Sequence, residues 1–202
     1  MALSQSILEV GRVLYASTAE YAFGCPAAEA QLSAPEFGAL VRSESTRASV
    51  YGLVFDVRVN DDPLVRQLAV TRELAPEYVA DQLYNRHVPV EITTLAVGYR
   101  TPEGELRRAL PPQPPMSLDR VLACSPAELA EFSERHDYFG LLLGPTTPVP
   151  AEELLAAHLR LAAAARPPAQ RRPFLVRAGR ELARLLTGDL LRLDAILRRM
   201  KT

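Results

Sequence analysis

Val50-Tyr51-Gly52-Leu53-Val54-Phe55-Asp56-Val57-Arg58-Val59 places seven apolar side chains in ten positions, three of them consecutive. A strand with one wet face alternates apolar and polar residues. A nearly continuous run suits a strand covered on both faces, or one that closes a barrel. Upstream, Ile7 to Tyr15 is rich in apolar and β-branched residues and carries Gly11. Ala19 to Cys25 sets Tyr21 and Phe23 on one face by the period of two, and Phe37 to Val41 follows. Downstream, Val88 to Tyr99 is another run, and Pro102-Glu103-Gly104-Glu105 turns the chain into Leu106 to Leu110. Six short strands with glycines at their bends read as a small closed barrel. Asp62-Pro63 interrupts them with a helix N-cap and a first-turn proline, and a second turn run starts at Pro76. This insertion, about 62–86, is expected to plug one end of the barrel.

Three proline-rich breaks divide the chain, at 111–115, 145–150 and 166–173. Text before the first is strand-like and text after it is helical, which sets a boundary between a barrel of residues 1–112 and a helical unit of 113–202. The expected fold class is therefore α+β, an N-terminal β-barrel followed by a helical bundle of about four helices. Ser125-Pro126-Ala127-Glu128 is a capping box that opens the first, burying Leu129 and Phe132. Pro150 opens the second, with Leu154, Leu155, His158 and Leu161 on its inner face. Pro173 is expected to open the third, with Phe174, Ala178, Leu182 and Leu185 inward and arginines outward. Gly188 ends it, and Asp189 caps a last helix bearing Leu190, Leu193, Leu197 and Met200.

Composition excludes several classes. Of 202 residues 48% are hydrophobic and 23% charged, enough to bury a core. No stretch approaches the ~18 apolar residues of a membrane span, and Met1 to Arg12 has Glu9 inside its apolar segment and no small-residue cleavage site. Cys25 and Cys124 cannot build a disulfide framework, so a cytoplasmic, reducing compartment is expected. Only Lys201 among the 23 basic residues is a lysine, and it follows Met200 rather than a glycine-rich turn. A P-loop needs its lysine on such a turn, so an ordinary P-loop ATPase is excluded.

Catalytic chemistry finds no foothold. His87, His136, His158, Cys25 and Cys124 are widely spaced, with no C-x-x-C or H-x-x-x-H arrangement, so no metal site is expected. His158 on an apolar helix face reads as a packed, hydrogen-bonded core histidine, and His136 at a helix end as a partner of the last carbonyls. There is no G-x-S-x-G elbow, Asp61-Asp62 is explained by capping, and Gly11 and Gly24 stand too far apart for a dinucleotide loop. No enzyme activity and no cofactor are expected.

Charge is asymmetric. Residues 160–202 hold eleven basic groups and three acids, a net +8, whereas residues 1–159 hold twelve arginines and twenty-one acids, a net −9. A basic helical end on an acidic body can bind phosphate backbones, pack on its own acidic half, or pack on that of a neighbour. Arg171, Arg172, Arg177, Arg180, Arg184, Arg198 and Arg199 are the candidate contacts for nucleic acid or a protein partner. No groove-reading helix-turn-helix or aromatic RNA signature is present, so any nucleic-acid binding would be non-specific and salt-dependent.

The stretch Val10-Gly11-Arg12-Val13-Leu14-Tyr15-Ala16-Ser17-Thr18-Ala19-Glu20-Tyr21-Ala22-Phe23 resembles the opening of the HAS-barrel family, the N-terminal barrel shared by HerA-type DNA translocases and rotary ATP synthases. The pattern is matched at Gly11, Val13, Ser17, Thr18, Glu20, Tyr21 and Phe23. Its later glycines are matched by Gly38 in Phe37-Gly38-Ala39-Leu40-Val41 and by Gly52 in Val50-Tyr51-Gly52-Leu53-Val54. The proline-rich 111–115 with Asp119-Arg120-Val121-Leu122 looks like the exit from that barrel. The resemblance covers about residues 6–124, and in place of a RecA-like motor only a helical tail follows. The whole chain resembles the standalone HAS-barrel proteins of bacteria. The resemblance implies an assembly function, in which barrels order a ring and receive partners, such as a ring-shaped ATPase or DNA-processing complex. It does not carry over ATP hydrolysis.

Overall fold

The chain was analysed as a computed structural model that describes residues 8–26, 34–45, 47–59, 89–144 and 149–200. The apolar run that opens the sequence reading is β4 (Ser49–Val59), and its neighbours show why it is apolar on both sides. It pairs antiparallel with β3 (Leu40–Glu44) on one edge and β5 (Pro89–Arg100) on the other. Val50 and Val54 point into one core with Val13, Tyr21, Phe23, Ile92 and Val121; Tyr51, Leu53 and Phe55 point into another with the helices. Period-two alternation thus feeds two cores from one strand.

Ring closure comes from six antiparallel strands in the order β2-β1-β7-β3-β4-β5, with β5 returning to β2. Here β1 is Glu9–Ala16, β2 is Glu20–Pro26 and β7 is Arg120–Ala123. Closure leaves the ring no free strand edge. Inside it, the Thr94 hydroxyl donates to the Tyr21 carbonyl at 2.8 Å, and Tyr21 Oη donates to the Val50 carbonyl at 3.4 Å.

The sixth barrel strand is not the one expected. Leu106 to Leu110 supplies only β6 (Leu106–Arg107), which extends the edge of β5 at two positions. Ring closure falls to β7, beyond the boundary drawn at residue 112. Pro111 to Pro115 has four prolines without N–H donors, so it cannot extend a ladder. It lies instead over the β3–β4 turn, where Arg47 Nη1 donates to Gln113 Oε1 at 2.8 Å, and returns the chain to β1. The expected helical insertion at about 62–86 lies outside the described residues.

Among the described residues five helices follow: α1 (Pro126–Phe132), α2 (Phe139–Leu142), α3 (Ala151–Ala164), α4 (Pro168–Leu185) and α5 (Leu190–Arg199). The capping box at Ser125 is complete: Ser125 Oγ accepts from Glu128 N at 3.2 Å and Glu128 Oε2 accepts from Ser125 N at 2.9 Å. The four-residue α2, which no cap or periodicity announces, buries Phe139 and Leu142. Pro173 does not open the third long helix but sits inside it. Pro168 takes the N1 position, where a missing N–H costs nothing, and the arginines after it continue the turn. Asp189 caps α5 as expected, its carboxylate accepting from Arg192 N at 3.1 Å. Leu190 differs from its expected inward position: it is 74% exposed, and Ile196 and Met200 anchor the helix instead.

The described helices cover the β3–β4–β5 side of the barrel. Their core contains Phe132, Tyr138, Phe139, Leu154, Leu155, Leu159, Phe174 and Leu182, packed on Leu40, Tyr51, Leu53 and Val97 of the strands.

Candidate functional site

The motif residues come together as architecture. Val13, Tyr21 and Phe23 are fully buried in the barrel interior. Ser17, Thr18 and Glu20 form the tight turn between β1 and β2: Ser17 Oγ accepts from Ala19 N at 3.2 Å and Glu20 N at 3.1 Å. A Cβ on Gly11 would stand 2.2 Å from the Gly24 carbonyl oxygen, and one on Gly52 would stand 2.7 Å from Thr94 side-chain atoms. Both glycines therefore mark close approaches inside the ring. Gly38 has φ +86 and lies against α3, 2.8 Å from Ala157 Cβ and His158 N when a Cβ is built.

The β1–β2 face of the barrel, which none of the described helices covers, exposes apolar side chains. A register shift between Val13 and Tyr15 in the β1–β2 ladder turns two successive side chains, Leu14 and Tyr15, outward. They are 45% and 48% exposed. The chain before β7 lies beside them: Leu118 N donates to the Val13 carbonyl at 2.8 Å, and Ser117 Oγ donates to the Leu14 carbonyl at 3.3 Å. This segment adds Met116 and Leu118, 53% and 70% exposed, and Leu118 holds a φ of 71. A leucine with positive φ is strained as well as wet. Nothing in the sequence periodicity marked these four side chains. The strained Leu118 in particular has no sequence signature.

A line of ion pairs borders this wall. Glu9 bridges Arg12 (3.2 Å) and Arg120 (2.7 Å); Glu44 bridges Arg120 (3.7 Å) and Arg42 (2.6 Å). Arg42 then reaches Glu128, the capping-box residue of α1, at 2.9 Å. The line crosses β1, β7 and β3 and fastens the barrel to the first helix.

The basic C-terminal segment turns mostly upon the helical unit itself. Arg177 pairs with Glu134 at 2.8 Å, Arg184 with Glu181 at 2.6 Å, Arg198 with Asp194 at 2.6 Å and Arg199 with Glu153 at 2.6 Å. Arg192 pairs with Glu152, and Arg171 caps α3 through the carbonyls of Ala164 and Arg166. The side chains of Arg172 and Arg180 make no ion pair or hydrogen bond with other described residues. Arg166, absent from the candidate contacts, is the buried one: 4% exposed, it donates to Ser133 Oγ, Ala162 O and Ala130 O and lies 3.7 Å over the Phe174 ring. Burial pushes its pKa down, opposed by Glu134.

The histidines are packing elements. His158 is fully buried between Tyr138 Oη (2.8 Å) and the Gly38 carbonyl (3.2 Å). A carbonyl only accepts, so Nδ1 carries the proton and Nε2 accepts from the Tyr138 hydroxyl. Burial holds this imidazole down at about 4. His136 does not bond helix carbonyls as expected: its Nε2 has no partner among the described residues, and its ring lies 4.8 Å from Phe139 and 5.8 Å from Phe174. Packing against two aromatic rings holds it where no carbonyl reaches.

A groove of about 570 Å³ separates barrel and helices, lined by Leu40, Cys124, Leu129, Leu161 and Ala164, with Glu36 on its wall. Burial pushes the Cys124 thiol pKa up, so the group is a protonated, weak nucleophile at neutral pH. Among the described residues no three His, Cys, Asp or Glu side chains converge to hold a metal ion, and no helix is long and apolar enough to cross a membrane. Compared with protein-family models and with curated proteins, the chain matches none. Fold and surfaces define an α+β protein whose closed barrel is clad by the described helices along β3, β4 and β5 and exposes apolar side chains at β1 and at the segment before β7.

Proposed function

We propose that this chain is a non-enzymatic, cytoplasmic interaction and assembly module that docks on a ring-shaped, HerA-type ATPase or a DNA-processing complex. The observation that carries the reading is the bare apolar wall at Leu14, Tyr15, Met116 and Leu118. Clustered exposed apolar side chains on a stable scaffold mark protein contact surfaces. The resemblance of Val10 to Phe23 to the HAS-barrel opening supplies the class of partner, and no lysine of these 202 residues stands on a P-loop turn.

The nucleic-acid reading is the weaker one. Four of its seven arginines, Arg177, Arg184, Arg198 and Arg199, are already held by carboxylates, which lowers the charge available to phosphates.

The test is affinity capture from the native host with the wild-type chain and with Leu14→Asp/Leu118→Asp. Recovery of a ring ATPase or DNA-processing protein by the wild type alone supports the reading. Equal recovery by both, or recovery of neither protein class, overturns it, as does nucleotide turnover by the purified chain.

A further inference from the structure

α4 buries Phe174, Ala178 and Leu182, spaced by four along one side of the helix. Two residues back, a rotation of roughly 200° at 3.6 residues per turn, stand Arg172, Val176 and Arg180. They occupy the side opposite the core, about 6 Å apart along the axis, and Val176 is 44% exposed at their centre. Ala169, Pro173 and Ala183 are exposed on the same side. The surface carries apolar side chains along its length, with an arginine on either side of Val176.

Helix stability does not account for it. Over Pro168–Leu185 the helix has five arginines and one glutamate, and Glu181 is taken by Arg184. Arg180 has Arg177 three residues before it and Arg184 four residues after it, positions where like charges oppose helix formation. Arg172 has no acidic residue at either helical neighbour spacing. An ordinary solvated face would interleave acids here, so pairing within the helix does not explain the arrangement.

We propose that the outer face of α4 docks an acidic, amphipathic segment of a protein partner, with Arg172 and Arg180 meeting its carboxylates and Val176 its apolar residues. Charge complementarity selects acid, and the apolar centre selects protein. A duplex presents phosphates but no apolar surface to Val176, and two guanidinium groups, each without an acceptor among the described residues, give a phosphate backbone little purchase. This inference stands on α4 alone and does not depend on the barrel wall.

Binding is followed by fluorescence anisotropy at low salt, using a labelled amphipathic helical peptide of glutamate and leucine and, separately, a DNA duplex of equal net charge. The expected result is peptide binding that weakens about tenfold or more in Arg172→Glu/Arg180→Glu, two lost ion pairs turned repulsive. Val176→Ser weakens the peptide and leaves the duplex unaffected, while Arg58→Glu on the barrel changes neither. Arg172→Ser/Arg180→Ser repeats the test without charge reversal should the glutamate variant fail to fold. Absence of peptide binding, tighter binding of the duplex, or equal weakening by Arg58→Glu overturns the proposal. Self-association of the wild-type chain that the double variant abolishes also overturns it, since a second copy then fills this face.

Discussion

The Gly38 carbonyl accepts a hydrogen bond from Nδ1 of His158 at 3.2 Å, joining the turn before β3 to the middle of α3. The contact depends on glycine twice over. Gly38 has φ +86, and its α-carbon lies so close to α3 that a Cβ would come within 2.8 Å of His158 N. Barrel and helices meet here backbone to backbone, and the histidine extends the joint to Tyr138 Oη at 2.8 Å.

Gly38→Ala is expected to destabilise the fold by about 2–4 kcal/mol, combining a left-handed backbone penalty with a clash against a helix. Gly104 is the internal control, with φ +91 and open space around it. Gly104→Ala should cost only about 1 kcal/mol. Urea denaturation of both variants separates conformational strain from steric contact.

His158 makes stability depend on pH. Its folded value of about 4 lies below its ordinary 6.5, so the folded state resists a proton that the unfolded chain accepts. Stability is complete above about pH 6.5 and falls by about 1.4 kcal/mol per unit as pH drops towards 4. His136, pushed down by burial and by Arg177, acts in the same direction. His158→Gln should remove one proton's worth of this slope in denaturation curves taken between pH 7 and about 4.

Arg166→Met should cost about 3 kcal/mol, because Ser133 and the carbonyls of Ala130 and Ala162 lose a charged donor at once. Arg166→Lys should rescue little of it, since an ammonium can neither fork between these acceptors nor stack flat on Phe174. Comparison of denaturation midpoints checks both.

Arg42 joins the ion-pair line to α1, its side chain 14% exposed between Glu44 and Glu128. Arg42→Ala should lower stability by about 1.5 kcal/mol at low salt. The part of that loss due to the exposed outer pairs should shrink in about 1 M salt, where screening leaves little for them to contribute. Measurement of the variant's denaturation at two ionic strengths tests this.

Local signals were legible where one segment decides its own fate. The run Val50 to Val59 is a strand because its side chains alternate between two cores, and Ser125 begins α1 because hydroxyl and carboxylate satisfy each other's backbone donors three residues apart. Tyr21 and Phe23 face inward because the period of a strand is two. Pro173 misled because proline marks a helix start only when nothing before it can begin one, and Pro168 could.

The amino-acid sequence by itself determined the α+β class, most of the barrel strands, the capping of α1 and α5 and the absence of a P-loop lysine, all properties of neighbouring residues and their spacing. Tertiary structure alone decided that a four-residue strand after the proline-rich segment closes the ring, since β7 is held by partners, β1 and β3, far from it in the chain. It also decided which arginines are spent on carboxylates among the described residues, and which apolar side chains stay wet. Pairing between charges and coverage of a surface depend on distances between segments, and those distances exist only once the chain has folded.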